Sequence, residues 1–396
     1  MKLLFLANRL PYPPYRGDKL KIYNLAKRLC GKHELHLLTF TETEEDKKYI
    51  GALKDFFTEI HTVHLPKWRG ALYSIRSLWK NRPVQVCYFQ SREMQRKLNA
   101  LLTVHQYDAV HVQHLRMAPY LSARKDLVRI LDLPDAFSLY WKRRSEAQKN
   151  PILSIFQKYE AARLSDFESI VKDYNLGLVC SQEDLNYLQK AHHFKNLHLL
   201  PNGVDLTTFK AAHDYAHNHT LLFTGNMDYA PNVDAVNYFA KAIFPLILTR
   251  FPKTKFIIAG QRPVAKVKEL ASENIIVTGF VKNLSEIYND ASIVVSPLRF
   301  GAGTQNKVLE AMACGVPVVC SNIGFNGLNI ENGEGAIMKT SSKLFAEAVC
   351  ELLVSASLRE NVGAKGLELV KKRFDWDVIA QQLEQYFIKA IAIKTQ

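Results

Sequence analysis

Six cysteines (Cys30, Cys87, Cys180, Cys314, Cys320 and Cys350) are scattered over 396 residues, with no C-x-x-C pair and no clustering with histidines. That scarcity excludes a disulfide framework and a structural zinc site, and buried thiols in a reducing compartment are expected. No apolar run approaches the ~20 residues that a membrane-spanning helix needs. The opening run Met1–Ala7 is too short for the core of a signal peptide and is followed by Arg9 and three prolines, so the expected location is the cytoplasm. Low-complexity segments and sequence repeats are also absent. With 47% apolar and 23% charged residues, disorder, collagen and coiled coil are excluded. One further absence is local: no acidic side chain lies between Glu59 and Glu93.

What is present is length enough for two domains with ordinary cores, and positive charge. The formal net charge is +14, and residues 1–200 carry 32 basic and 20 acidic side chains against 20 and 18 in residues 201–396. The excess belongs to the first half and should draw it towards polyanions or anionic lipid.

Short apolar runs alternate with helical periodicity along the chain. Lys2–Ala7 reads as a strand, Gly17–Cys30 as a helix with Leu20, Tyr23, Ala26 and Cys30 in register, and Leu35–Phe40 as the next strand. Ile60–His64, Ala109–Val112, Val128–Leu131 and Leu176–Cys180 continue the series. A second series follows a polar stretch at Lys210–Thr220, with strands at Leu221–Thr224, Lys255–Ala259, Ile275–Thr278, Ile293–Ser296 and Val316–Cys320 and helices near 232–249, 263–271, 283–289 and 304–314. Continuous apolar strands separated by helices imply parallel, doubly wound sheets. The expected fold class is therefore α/β with two Rossmann-like domains, 1–200 and 201–375. Residues 376–396 form a C-terminal helix expected to pack back on the first domain.

In such sheets ligands bind beyond the carboxyl ends of the strands. The richest loop is Ser296-Pro-Leu-Arg-Phe-Gly-Ala-Gly-Thr-Gln-Asn-Lys-Val-Leu-Glu310. Gly301 and Gly303 let backbone approach a ligand, and the helix starting near Thr304 offers N–H groups and a positive dipole end. Lys307 adds a cationic donor, so the loop suits a diphosphate. Glu310, at i+3, can hold that lysine or accept hydroxyls of a sugar or ribose.

The run Gly301–Val319 closely resembles the nucleotide-sugar loop of the retaining glycosyltransferase family 4, and further stretches fall in that family's order: Pro201-Asn-Gly-Val-Asp205, Phe223-Thr-Gly-Asn-Met-Asp-Tyr-Ala-Pro-Asn232, Gly279-Phe-Val281 and Arg16-Gly17-Asp18. The resemblance implies a GT-B fold with two sheets facing across a donor/acceptor cleft, and a nucleotide diphosphate-sugar as co-substrate with no required metal or other cofactor. It implies that Glu310 binds ribose, that Gly301, Ala302 and Gly303 present backbone N–H groups to sugar or phosphate, and that Thr304, Gln305 and Lys307 face the diphosphate. Phe280 and Val281 would frame the base, with Arg16 and Gly17 on the opposite wall. Three positions depart from the family. Ala302 stands where many members have a first glutamate, Asn226 and Pro231 stand where an Arg and a Lys are common, and Gln113 stands where a histidine lies beside the sugar. Arg262 or Arg299 would then join Lys307 in supplying charge, and His114 is the candidate to replace the missing histidine. Asp375-Trp-Asp377 has a metal-binding D-x-D form but precedes the last helix, and is read as a cap and packing feature.

Lys67, Trp68, Arg69, Arg76, Trp79, Lys80 and Arg82 make the acid-free stretch basic and aromatic, which suits the surface of an anionic bilayer. Packing of the aromatics into the first domain is the plainer alternative, and nucleic acid is not the expected partner. The reading as a whole is an EC 2.4 hexosyltransferase, peripheral on the inner face of the cytoplasmic membrane, acting on a glycan or lipid-linked acceptor in surface polysaccharide or glycolipid synthesis. The rivals are a catalytically degenerate donor-binding scaffold and a GT-B sugar-nucleotide epimerase, the latter needing cleft carboxylates that are not apparent.

Overall fold

The computed structural model describes every residue except 76, 78–81, 149, 213, 214, 216–218, 302 and 396. The chain divides into two compact units: unit 1 is Met1–Asn202 with Trp376–Gln396, and unit 2 is Gly203–Asp375.

Unit 1 is built on a seven-stranded sheet of β1 (Lys2–Ala7), β2 (Glu34–Thr41), β3 (Glu59–His64), β4 (Ala109–Gln113), β5 (Arg129–Leu133), β6 (Leu176–Val179) and β7 (Leu197–Leu199), in the order β3-β2-β1-β4-β5-β6-β7. All its pairings are parallel. Helices cover both faces, which is why Leu3 to Ala7 are wholly buried and the strand reads as an unbroken apolar run. One face is covered by the helix Gly17–Leu29, through Ile22, Leu25, Ala26 and Leu29, and by the last helix, Trp376–Thr395, through Trp376, Ile379, Leu383 and Phe387. The last helix is fixed further by Tyr386 Oη donating to the Leu199 carbonyl at 2.9 Å and by an Arg28–Asp377 ion pair at 3.1 Å. With Trp376 in the core, the D-x-D sequence serves packing and pairing here.

Unit 2 holds a six-stranded parallel sheet of β8 (Thr220–Thr224), β9 (Lys255–Ala259), β10 (Ile275–Gly279), β11 (Ile293–Ser296), β12 (Val318–Cys320) and β13 (Ala336–Met338), ordered β10-β9-β8-β11-β12-β13. The strands β7 and β13, three residues each, carry too little alternation to be legible in sequence. The helix expected over 232–249 is broken into Ala230–Tyr238, a π turn at Phe239–Ile243 and Phe244–Leu248. Pro245 lacks the N–H that would continue the α ladder, and the wider turn ahead of it takes up the mismatch. Cys30 is half-exposed, not buried, and all six thiols are free.

Each sheet reverses its strand order once, between β1 and β4 in unit 1 and between β8 and β11 in unit 2. The carboxyl side of these switch points is where an open α/β sheet leaves a crevice. The loops that follow β1, β4, β8 and β11 are therefore the ones to inspect.

Candidate active site

In unit 2, three neighbouring strands end on glycines with left-handed φ: Gly225 (150°), Gly260 (153°) and Gly279 (72°). Gly225 N–H donates to the Ala259 carbonyl at 3.0 Å and Gly260 N–H to the Gly279 carbonyl at 2.9 Å. A Cβ on Gly260 would sit 1.7 Å from the Gly225 oxygen, so this edge is bare backbone by necessity. Gly301 (149°) and Gly303 (73°) extend it into the loop after β11. The helix Asn306–Ala313 then begins at Gln305, whose side chain makes no capping bond, so its positive end is not answered by a cap there.

Lys307 is buried. Its ammonium donates to Asn232 Oδ1 at 2.6 Å and lies 4.1 Å over the centre of the Phe223 ring. Burial lowers its pKa to about 7, against a weaker opposing pull from Glu310. Glu310 forms no ion pair with it. Instead Glu310 Oε2 accepts from Tyr288 Oη at 2.8 Å, and the Thr224 hydroxyl lies 2.6 Å from the same phenol. This relay orients the carboxylate, whose Oε1 has no protein donor among the described residues. Burial holds both Glu310 and Tyr288 above their ordinary pKa values. The edge therefore offers a dry cation, an oriented acceptor and close backbone approach.

The other expected donor residues lie around this edge. The Asn226 amide oxygen accepts from Gln261 Nε2 at 2.8 Å. Arg262, with φ 57°, is largely exposed and lies 3.6 Å from Asp228. Arg299 is committed in a bidentate pair to Asp234 and lies over the Tyr238 ring, so it is a poor substitute for a diphosphate cation. Phe280 is exposed and Val281 packs partly into the core, while Thr304 is buried. Ala302 lies outside the described residues. Sequence reasoning missed Tyr288, for which nothing in the sequence gave a signal, and Asn232, which the stretch Phe223–Asn232 contained without marking it as the lysine's partner.

In unit 1 the corresponding edge gathers Asp18, His114 and several arginines. Asp18 pairs with Arg9 at 3.2 Å, and Arg9 also pairs with Glu42 at 3.0 Å. Burial would raise the Asp18 pKa, but Arg9, Arg16 and Arg116 together hold it below the usual value. Gln113 spends its amide on the Asp18 carbonyl at 2.5 Å, tying β4 to the first turn of the helix Gly17–Leu29. His114 takes a left-handed φ of 83°, is buried, and stacks on Phe137 with ring centres 4.5 Å apart. Burial and the neighbouring arginines hold it neutral, its pKa well below the ordinary value. Its Nδ1 accepts from Arg116 N–H at 3.2 Å, which places the ring proton on Nε2 as a donor. Gly17 and Arg16 are exposed at the start of the adjoining helix.

Of the basic, aromatic stretch, Lys67, Trp68, Arg69 and Arg82 are exposed, with the Arg69 guanidinium over the Trp68 ring. Arg76, Trp79 and Lys80 lie outside the described residues. Phe89 is in the core, and Tyr73 and Tyr88 pack against it, so these three aromatics follow the packing alternative. The larger exposed apolar set is on the helix Pro151–Glu168, where Ile152, Ile155, Phe156 and Tyr159 face solvent. That helix is pinned to the basic stretch: Glu160 Oε1 accepts from Val84 N–H at 2.7 Å, and Arg163 donates to the Ser77 carbonyl at 2.7 Å. No helix among the described residues is long and apolar enough to cross a membrane.

Two parallel Rossmann-like units define a GT-B fold. Residues 218–355 match the family described as glycosyl transferases group 1. The chain is similar to the 44.6 kDa protein in the cps region of Klebsiella pneumoniae, 23% identical over 94% of this chain and 96% of that one. Over 185 residues, 46% of this chain and 41% of the relative, it is 26% identical to the capsular polysaccharide biosynthesis glycosyltransferase CapM of Staphylococcus aureus. Among solved structures it is similar to sucrose-phosphate synthase of Thermosynechococcus elongatus, with TM-score 0.74, 15% identity and 99% and 100% of the two chains covered. Anabaena HepE in complex with UDP-glucose gives 0.66, 15% identity and coverage of 98% and 100%. The family match and these neighbours support a glycosyltransferase of GT-B fold.

Proposed function

We propose that this protein is a retaining glycosyltransferase that moves a sugar from a nucleotide diphosphate-sugar to a glycan or lipid-linked acceptor in surface polysaccharide synthesis. The observation that carries the reading is Lys307: a buried ammonium whose close partners among the described residues are an amide oxygen and a ring face, in the first turn of a helix that Gln305 does not cap through its side chain, beside a glycine-lined sheet edge. Such a cation is costly without an anionic ligand, and a diphosphate supplies one. Glu310, aimed by Tyr288, accepts ribose hydroxyls. Neutral His114 offers its Nε2–H to a substrate hydroxyl. In the transfer, the bond from the anomeric carbon to the diphosphate breaks, the acceptor oxygen bonds to that carbon from the same face, and its proton leaves with the nucleotide diphosphate. The protein's contribution is orientation and stabilisation of the leaving charge, for which no resident metal is invoked. The HepE neighbour's complex with UDP-glucose and the capsule-related relatives support the donor class and the pathway class.

Purified protein incubated with UDP-, GDP- and ADP-sugars and a membrane extract should release nucleotide diphosphate in an acceptor-dependent manner, and Lys307→Ala or Glu310→Ala should lower kcat/KM at least tenfold. Tight donor binding without release under every condition would sink the transferase and leave a scaffold.

The same reading places the enzyme in the cytoplasm, with the basic and apolar ridge of unit 1 against an anionic membrane. Arg69 and Arg82 supply attraction, while Trp68, Ile155 and Phe156 supply apolar insertion. Arg69→Glu with Arg82→Glu, and separately Ile155→Glu with Phe156→Glu, should each reduce co-sedimentation with phosphatidylglycerol vesicles several-fold. Undiminished binding in both pairs would refute the docking face.

A further inference from the structure

The amino ends of β2 and β3, at the opposite end of the unit 1 sheet from His114 and Arg16, gather three histidines and two glutamates on one face. The strand period brings this about. His36 and Glu59 are register partners across the parallel pair β2–β3, and Glu34 and His61, each two residues away along its own strand, lie on the same face. His105 joins them from the end of the helix Arg92–Val104, where its N–H bonds back to the Leu101 carbonyl at 2.9 Å.

Glu59 is the centre of the group. Its Oε2 lies 2.8 Å from His61 Nε2, 3.3 Å from His105 Nε2 and 3.7 Å from His36 Nδ1. The ligand atoms of His36, Glu59 and His105 all lie within 4.8 Å of one another. Ligands at ~2.0–2.2 Å around a tetrahedral zinc ion stand about 3.3–3.5 Å apart, so closing on an ion takes side-chain shifts on the order of 1 Å.

His36 is wholly buried and already in the state that a metal ligand requires. Its Nε2 faces Glu34 Oε1 at 3.0 Å, and since an ionised carboxylate only accepts, Nε2 carries the proton. Burial lowers the pKa of this ring, which keeps it neutral and leaves the Nδ1 lone pair towards Tyr107 Oη, at 2.9 Å, and Glu59. A carboxylate behind an imidazole is the arrangement that fixes the tautomer and raises the basicity of metal-bound histidines. Lys2 opposes a cation here, its Nζ lying 3.0 Å from Glu34 and 3.1 Å from His105 Nδ1. His105 offers its Nε2 lone pair only after moving its proton to Nδ1, which costs the Lys2 contact and leaves Lys2 on Glu34.

We propose that His36 Nδ1, His105 Nε2 and the Glu59 carboxylate bind a divalent transition-metal ion of the zinc type, with Glu34 orienting His36 and His61 orienting Glu59. Imidazole nitrogens with a single carboxylate suit such an ion, whereas magnesium and calcium take oxygen ligands. The fourth position is left to water. No cysteine takes part, so the scattered thiols that exclude a cysteine-built site do not bear on this one, and its ligands, 23 and 46 positions apart, share no motif spacing. The ion ties β3, the edge strand of the sheet, to β2 and to the end of the helix Arg92–Val104. It is remote from the groups assigned to sugar transfer, and the proposal is independent of that reading.

The test uses the full chain stripped with EDTA and dialysed, titrated with Zn2+ and separately with Mg2+, and read by amide hydrogen exchange and melting. One equivalent of Zn2+ should slow exchange across residues 34–37, 59–62 and 103–107 and raise Tm by several degrees, and Mg2+ in large excess should do neither. His105→Gln should need at least tenfold more Zn2+ for the same protection. Glu34→Gln, which alters a side chain that is 45% exposed and outside the ligand set, should need several-fold more. His192→Gln with His193→Asn removes an adjacent histidine pair elsewhere in the unit and should change nothing. Absence of protection by Zn2+, protection confined to other segments, equal protection by Mg2+, or wild-type Zn2+ affinity in His105→Gln overturns the site. Should metal-free His105→Gln fail to fold, Glu34→Gln decides: several-fold weaker Zn2+ binding supports the site, and unchanged binding overturns it.

Discussion

On the proposed function, Lys307 is a single side chain set for an anion before the anion arrives. Burial favours its neutral form, and its ordinary pKa of 10.5 drops to about 7. Between these values the folded chain binds fewer protons than the unfolded chain at this position, so its contribution to stability improves as pH rises from about 7 towards 10. Ligand binding runs the other way, because a diphosphate favours the ammonium. UDP affinity should therefore be flat below pH 7 and weaken by up to tenfold per pH unit above it, with proton uptake on binding near pH 8. Calorimetric titration in buffers of different ionisation enthalpy measures both quantities. A flat affinity from pH 6 to 9 without proton uptake would show that Lys307 does not meet the phosphates. Glu310 is the other ionisable group facing this lysine; being pushed up by burial, it limits affinity only on the acid side.

At the scale of elements, the candidate edge depends on how closely β8, β9 and β10 end against one another. Gly260→Ala forces a Cβ against the Gly225 oxygen and an unfavourable φ on the new residue. The substitution should lower Tm by several degrees and weaken UDP binding with it, whereas Gly31→Ala, where a Cβ meets nothing within 4 Å, should change neither. Equal melting curves for the two variants would remove the stacked-glycine account. Much of this architecture was legible in sequence, because parallel strands buried on both faces need unbroken apolar runs, and Lys2–Ala7, Lys255–Ala259 and Ile293–Ser296 lie where those runs are. Gly301, Gly303 and Lys307 were singled out from one contiguous loop, whereas Gly260, whose close approach to the Gly225 oxygen joins two strands, was not. What escaped was non-local. The Tyr288–Glu310 and Lys307–Asn232 partnerships join residues 22 and 75 positions apart, and no periodicity encodes them. The exposed apolar face of Pro151–Glu168 escaped because helical spacing shows that a face is apolar but not what covers it.

Across the whole molecule, each unit places a cation with close neutral partners at the carboxyl edge of its sheet: the buried Lys307 in unit 2 and the half-buried Arg116 in unit 1. Each sits beside a strand-order switch, where the fold leaves a crevice, so the chemistry follows from the topology. The net charge does not follow it. Unit 1 holds 34 basic and 22 acidic residues against 18 and 16 in unit 2, an asymmetry that the proposed docking of unit 1 on an anionic membrane would use. Unit 1 is also completed by the end of the chain. Trp376, Ile379, Leu383 and Phe387 are at most 1% exposed in its core. At ~1.5–3 kcal/mol for each large apolar side chain buried, they contribute ~6–12 kcal/mol, comparable with the ~5–15 kcal/mol that holds a typical domain folded. Removing residues 376–396 should therefore unfold unit 1 and spare unit 2, whose own core includes none of them. Limited trypsin digestion of the truncated chain should degrade residues 1–202 within the time that leaves the wild type intact, while a fragment near 203–375 survives and is further protected by UDP. Survival of both units would mean that the last helix only covers unit 1, and rapid loss of both would mean that unit 2 does not stand on its own core.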